Sequence, residues 1–144
     1  MHDHLGGRPP KVNLAAERRL AELLHAAGQQ GLVSSAHDVS GGGIAQALAE
    51  GVLRFGIGAR VWLSELQERD GVDASAALFS ETTGRVIVSV PREDDVKFRG
   101  LCDGRDYPVL RIGVTDQAPV GENTLEVQDL FTVPLSELLS LIHI

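Results

Sequence analysis

The stretch "SSAHDVSGGGIAQALAE", Ser34 to Glu50, changes character in its middle. With Leu32 and Val33 ahead of it, its first part reads as a short strand that runs into a polar turn. Three glycines follow. From Gly43 on, "GIAQALAEGVLRFG" repeats its apolar residues at helical spacing, and Gly56 and Gly58 close the run. A strand that stops at a glycine turn and feeds a helix also makes an anion site. The first N–H groups of a helix lack internal partners, and the helix dipole adds partial positive charge there. The backbone of Gly41, Gly42 and Gly43 lets a phosphate approach without a Cβ in the way, and the Ser40 hydroxyl adds a donor. Asp38 carries the wrong sign to meet a phosphate directly. It suits Mg²⁺ or a sugar hydroxyl. His37 suits donation to a phosphate or proton transfer. A structural reading stands beside this one: Asp38 or Ser40 caps the helix, and the glycines let the turn pack on the sheet. The stretch is neither a Walker loop, which ends in Gly-Lys-Ser/Thr, nor a Rossmann fingerprint, which needs G-x-G-x-x-G.

Outward from that stretch, helices and strands alternate. "LAAERRLAELLHAAGQQG" predicts a helix with Leu14, Leu20, Leu23 and Leu24 on one face. Asn13 is its N-cap, Glu17 lies in its first turns, and Gly28 or Gly31 ends it. Downstream, "ARVWLSEL" alternates as a strand, and "QERDGVDASAALFSETTG" is a loop containing a short helix. "RVIVSVP" is a β-branched strand stopped by Pro91. "REDDVKFRGLCDGRD" predicts a helix with Val96, Phe98 and Leu101 inward. "YPVLRIGVT" is a strand, and the remainder gives a turn, a strand and a terminal helix. The order is βαβ-like, which predicts an α/β (α+β) fold: one mixed sheet with helices packed on it. Residues 1–12 read as an irregular lead-in, 13–138 as a single domain and 139–144 as an atypical tail.

A second polar cluster lies in "ALFSETTGRVIVSVP". Glu81 and Arg85, four apart beside Gly84, either bracket a polar ligand or form a surface ion pair of small energetic value. His2, Asp3 and His4 have metal-ligating types but sit at a terminus, where disorder is the simpler expectation. His25 lies late in the first helix, where a partly charged imidazole suits the dipole. His143 is in an apolar tail. Nothing marks Cys102 as a nucleophile. His37, Asp38 and Ser40 do not form a hydrolase relay, since no G-x-S-x-G elbow is present.

Composition bounds the rest. The 144 residues suit one domain with a sizeable core. Aromatics are 4% of the chain, so that core rests on Leu, Val, Ile and Ala. A net charge of −7 argues against nonspecific nucleic-acid binding, which needs clustered Lys and Arg. The single cysteine excludes an internal disulfide framework and points to a reducing compartment. "MHDHLGGRPPK" lacks the apolar core of a signal peptide, and no apolar run approaches a membrane span. The expectation is a soluble cytoplasmic domain with no membrane or nucleic-acid partner.

Three segments in this order resemble a known family. "DHLGGRPP" (Asp3–Pro10) approximates its "GHLGG-x-P", and "AHDVSGGGIAQALAE" (Ala36–Glu50) and "LFSETTGRVIVSVP" (Leu78–Pro91) follow, with "IGVT" (Ile112–Thr115) and "LFTVPLSEL" (Leu130–Leu138) in agreement. The set is similar to the C-terminal domain of phosphoribosylformylglycinamidine synthases. These sit in a superfamily with aminoimidazole ribonucleotide synthetase, selenophosphate synthetase, thiamine monophosphate kinase and a hydrogenase maturation factor.

The resemblance implies an ATP-dependent ligase of purine biosynthesis. Formylglycinamide ribonucleotide is activated by phosphorylation at its amide oxygen, and glutamine-derived ammonia then displaces phosphate. It implies ATP and Mg²⁺ as cofactors, held mainly by domains outside this chain. The implied partners are an N-terminal ATP-binding domain, a glutaminase subunit and a small accessory subunit. It implies no catalytic residue here, and an isolated chain without turnover. At the turn it implies Asp38 toward Mg²⁺ and Ser40, Gly42 and Gly43 toward phosphate, with His37, Gly41, Glu81 and Arg85 as further contacts. Many family members carry "SDGG" where this chain has "SGGG", so Gly41 removes a carboxylate. The alternatives are another ATP-using member of the superfamily, or a non-catalytic module that binds a phosphate.

Overall fold

The computed structural model describes residues 9, 11–117 and 121–142. The lead-in motif lies outside them except for Pro9, as do His2, Asp3, His4 and His143. In chain order the elements are α1 (Leu14–Gln29), β1 (Ser35–Asp38), α2 (Gly43–Phe55), β2 (Gly58–Val61), α3 (Ser64–Asp70), α4 (Ala74–Phe79), β3 (Val86–Ser89), a 3-10 turn (Arg92–Asp94), α5 (Asp95–Gly104), β4 (Gly113–Asp116), β5 (Thr124–Val127), β6 (Phe131–Pro134) and α6 (Leu135–Ile142). No helix among the described residues is long and apolar enough to cross a membrane.

The fold class agrees with the sequence, but the strands form two sheets rather than one. β1 and β3 make an antiparallel pair, and the other four make a mixed sheet in the order β4-β2-β5-β6, with β2 parallel to β5. The described residues form two buried cores. The larger joins Ala59 and Val61 of β2 and Leu125 and Val127 of β5 to Ile44, Leu48 and Val52 of α2, and to Leu66, Ala77, Leu78 and Leu135 from the other helices. These strand residues alternate inward, as a half-covered sheet requires. The outward residues Arg60, Trp62, Val114, Glu126 and Gln128 border an open hollow of about 370 Å³. The smaller core, Leu23, Ala27, Leu32, Phe98 and Cys102, joins α1 and α5 over Val88 of β3. Ile87, one residue away and on the opposite face of β3, packs with the larger core. The β1–β3 ladder therefore lies between the two cores.

α1 begins as expected. The Asn13 side chain accepts from the Ala16 N–H at 3.1 Å, and Glu17 lies in the first turn. It ends at Gln29, with Gly31 beyond at φ +67°. Other expectations fail for identifiable reasons. The strand predicted to run to Leu66 stops at Val61, because the buried residues pass from a spacing of two (Val61, Leu63) to one of three (Leu63, Leu66), and α3 starts at Ser64. The stretch read as a loop with one short helix holds α3 and α4, separated by Gly71 at φ +65°. Val96, expected inward on α5, is 81% exposed, and Cys102 takes the buried place one turn beyond Phe98. The tail segment holds a hairpin, not one strand. Asp129 adopts φ +63° in the turn between β5 and β6, with no glycine or proline to signal it.

Candidate functional site

β1 ends at Asp38, and Val39 turns inward to the larger core. The Val39 N–H donates to the Arg85 carbonyl at 3.0 Å, which sets the turn beside the start of β3. The chain then reverses over Ser40 and Gly41, and the Gly43 N–H donates to the Ser40 carbonyl at 3.0 Å. Gly42 (φ +79°) and Gly43 (φ +66°) both lie in the left-handed region that favours glycine. Gly43 has a second reason to be glycine. A Cβ there would stand 2.6 Å from the Leu78 carbonyl oxygen and 2.8 Å from the Phe79 carbonyl carbon, so α2 starts against the end of α4. Around Gly41 a Cβ would meet nothing within 4 Å.

The two polar clusters of the sequence become one site by this packing. A Glu81 carboxylate oxygen accepts from the Gly42 N–H at 2.9 Å, a contact between residues 39 apart in sequence. A carboxylate at a helix start complements the dipole. Neither Asp38 nor Ser40 serves as the cap: the N-cap residue is Gly42, and no side chain of the turn bonds to the helix. Ser40 stays exposed, and the amides that follow, of Ile44 and Ala45, are the helix's open donors.

His37 is committed elsewhere. Its Nδ1 lies 2.7 Å from the Asp38 carbonyl oxygen, and its Nε2 lies 2.6 Å from the Glu50 carboxylate in α2. Glu50 also accepts from the Gln46 amide at 2.8 Å. A neutral imidazole has one N–H to donate and here faces two acceptors, so the imidazolium satisfies both. The Asp38 carbonyl, followed by Glu50, accordingly raises the His37 pKa against an opposing push from burial. The Gln46 amide, followed by His37, lowers that of Glu50.

His37 thus ties β1 to α2 across the glycine turn. Because its folded pKa lies above the unfolded value of about 6.5, the stabilisation is complete below that value and is lost as pH rises through the folded pKa. Urea unfolding of the chain and of Glu50→Gln from pH 5 to 9 is expected to show the largest stability gap at the acid end, closing with rising pH. A gap that widens with pH would refute the latch.

Glu81 and Arg85 do not pair with each other but bond to different partners, the Gly42 amide and Asp70. Arg85 donates through Nη2 to Asp70 at the end of α3, and Asp70 also accepts from Arg69 Nε at 2.9 Å. Arg69, then Arg85, hold the Asp70 carboxyl below its usual range against burial. Arg85, Asp70, Ser80 and Thr82 line an open hollow of about 310 Å³ with Val72 and Ala76.

Asp38 projects a carboxylate whose side chain is 74% exposed. Among the described residues no three His, Cys, Asp or Glu side chains are grouped to hold a metal. Magnesium commonly takes one or two carboxylates with phosphate oxygens and waters. Asp38 fits a magnesium shared with a phosphate and does not fit a protein-only cage. Cys102 is buried, and burial raises its thiol pKa. Sequence reasoning missed Glu50, Asp70 and Tyr107. Only the Gln46–Glu50 pair carried a local signal, the i, i+4 spacing on a helix.

The model of the family "AIR synthase related protein, C-terminal domain" matches residues 1–125. The phosphoribosylformylglycinamidine synthase subunit PurL of Leifsonia xyli subsp. xyli is 71% identical over 140 residues, covering 97% of this chain and 18% of that protein. Its counterpart in Mycobacteroides abscessus is 50% identical over 137 residues, covering 95% of this chain and 17% of that protein. The chain therefore spans under a fifth of the length of these relatives. Among solved structures, T. maritima PurL complexed with FGAR has TM-score 0.73 at 23% identity, covering 88% of this chain and 21% of that one. T. maritima PurL complexed with ATP has TM-score 0.71 at 22% identity, with 84% and 21% covered. At such identities the likeness establishes the fold. With the family model spanning most of its length and both motif segments meeting at one turn, the chain belongs to the AIR synthase-related C-terminal domain family.

Proposed function

We propose that this chain works as the C-terminal domain of a phosphoribosylformylglycinamidine synthase, contributing phosphate and magnesium contacts to a site completed by other parts of that enzyme. The observation that carries this reading is the 71% identity to the Leifsonia subunit along almost the whole chain. The reaction turns the amide of formylglycinamide ribonucleotide into an amidine. ATP phosphorylates the amide oxygen, and glutamine-derived ammonia displaces phosphate, leaving ADP and phosphate. Magnesium, when bound, neutralises phosphate charge.

The chain's own residues have narrower tasks. Ser40 and the open amides at the start of α2 donate to phosphate oxygens, and Asp38 meets the magnesium shared with that phosphate. Glu81 already carries a negative charge on the Gly42 amide. A phosphate therefore approaches beside a carboxylate, and the cation offsets that repulsion. His37 holds the turn from behind. Arg85, bound to Asp70, keeps donors free for the hollow. The preceding ATP-binding portion, the glutaminase and small accessory subunits, and a cytoplasmic setting belong to the same reading.

A chimera tests it. This chain replaces the matching segment of the Leifsonia subunit, and ATP-dependent amidine formation is followed with ammonia as donor. The chimera is expected to turn over. Asp38→Asn is expected to lower its rate by about tenfold or more, as loss of a metal-orienting group does, and to raise the Mg²⁺ requirement. An active chimera indifferent to Asp38→Asn and Ser40→Ala would remove the turn from the reaction. An inactive but folded chimera would remove the functional reading itself.

A further inference from the structure

The loop Ser80–Arg85 has no regular structure, yet it delivers Glu81 to a single amide of α2. It is tied from three directions, through the Thr83 and Arg85 side chains and the Gly84 carbonyl. The Thr83 hydroxyl donates to the Lys11 carbonyl at 3.0 Å. The Tyr107 hydroxyl, from the segment after α5, donates to the Gly84 carbonyl at 2.8 Å. Asp70, at the end of α3, accepts from Arg85. Gly84 itself sits at φ +73°, so the chain reverses where Tyr107 grips it. None of the three partners lies in the turn or in α2.

Glu81 is exposed, and a long exposed side chain loses rotamer freedom when it settles on one donor. It stays there only if the backbone beneath it is fixed. Tyr107 is half-buried and donates to a carbonyl with no place in a strand ladder. Asp70 is shared between Arg69 and Arg85, and the second contact reaches across from α3 to the entry of β3. These are ties between separate elements, with the loop as their common point.

We infer that Asp70 and Tyr107 are positioning residues for the glycine turn: by fixing Arg85 and Gly84 they keep the Glu81 carboxylate on the Gly42 amide. The functional meaning of that role rests on the reading of the turn as a phosphate- and magnesium-facing site. The structural role does not. Through this arrangement the charge beside the turn is set by two residues remote from it in sequence, one at the end of α3 and one beyond α5. A change at Asp70 or Tyr107 is felt at Gly42 without altering any residue of the turn.

Hydrogen exchange of the whole 144-residue chain, read residue by residue by NMR, tests the inference. Glu81→Gln identifies the protection that the carboxylate gives the Gly42 amide. Tyr107→Phe and Asp70→Asn are each expected to speed Gly42 exchange about fivefold, the order of one lost hydrogen bond, while amides in the middle of α2 and in β5 keep their rates. Asp70→Glu, which retains the charge, is expected to recover much of the protection. Val127→Ala serves as the control, since it weakens the larger core and speeds core amides together. If Tyr107→Phe and Asp70→Asn leave Gly42 unchanged, or speed every amide in proportion as Val127→Ala does, the inference fails. Inorganic phosphate and MgCl₂ added to the same samples report on the functional reading separately. Shifts at Ser40–Gly43 support it. Silence there in a folded sample counts against the ligand-facing turn and leaves the Gly42 exchange result to decide the positioning role.

Discussion

Gly43→Ala is expected to lower unfolding stability by about 2–5 kcal/mol, combining roughly 1–2 for a side chain in the left-handed region with roughly 1–3 for overpacking. The second contribution arises because the new Cβ meets backbone, the Leu78 carbonyl oxygen and the Phe79 carbonyl carbon, which no rotamer change can move aside. Relief requires α2 to lift from α4, and Ile44, Leu48, Ala77 and Leu78 in that contact belong to the larger core. Gly41→Ala is the matched control two residues away. It has open space and no left-handed φ, so it is expected to be neutral or slightly stabilising. Urea unfolding of both variants reads the difference directly. A Gly43→Ala midpoint indistinguishable from that of Gly41→Ala would mean that the close approach of α2 and α4 is not part of the folded chain.

Phe98→Ala carries the other large effect, a loss of about 3–5 kcal/mol. Phe98 is 4% exposed and is the largest side chain of a five-residue buried cluster. Its removal leaves a hole that Leu23, Ala27, Leu32 and Cys102 are too few to refill, and α1 and α5 lose their common filling. Val96→Ala, on the same helix but 81% exposed, is expected to stay within about 0.5 kcal/mol of the parent. Thermal unfolding of the two variants separates them. The comparison also reverses the sequence reading that placed Val96 inside. Equal losses would restore that reading and displace this assignment of the smaller core.

What could be read from the sequence was local. Asn13, the apolar periods of α1 and α2, and the β-branched run of β3 act within a turn or two of themselves, and each element formed where expected. The failures came where distant contacts decide. Val61 and Leu63 look like a continuing alternation until α3 buries Leu66 three residues on. Asp129 turns the chain in the left-handed region, which few non-glycine residues adopt and which no neighbouring glycine or proline signals. The division into two sheets follows from pairings that no single segment encodes.

The site divides in the same way. The glycine turn was visible, because glycines before a helical period have few other uses. The partners of its neighbours were not visible: Glu81 on Gly42, Glu50 on His37 and Asp70 on Arg85 are meetings across separate elements. Charge signs alone suggested that Glu81 and Arg85 act together, and packing sends them to different partners.

The placement of β2 at the middle of its sheet has a kinetic consequence. Ala59 pairs on one side with Thr115 and on the other with Leu125, both supplied by the last third of the chain. Such non-local pairing closes long loops before any ladder bond rewards them, and it folds slowly. During synthesis the apolar face of α2, with Ile44, Leu48 and Val52, emerges long before β5, whose Leu125 and Val127 share its core. The layer of α1, β1, β3 and α5 has all its parts earlier and is expected to form first. Until β5 arrives, the chain carries an uncovered aliphatic surface of the kind that chaperones bind and that nascent aggregates share.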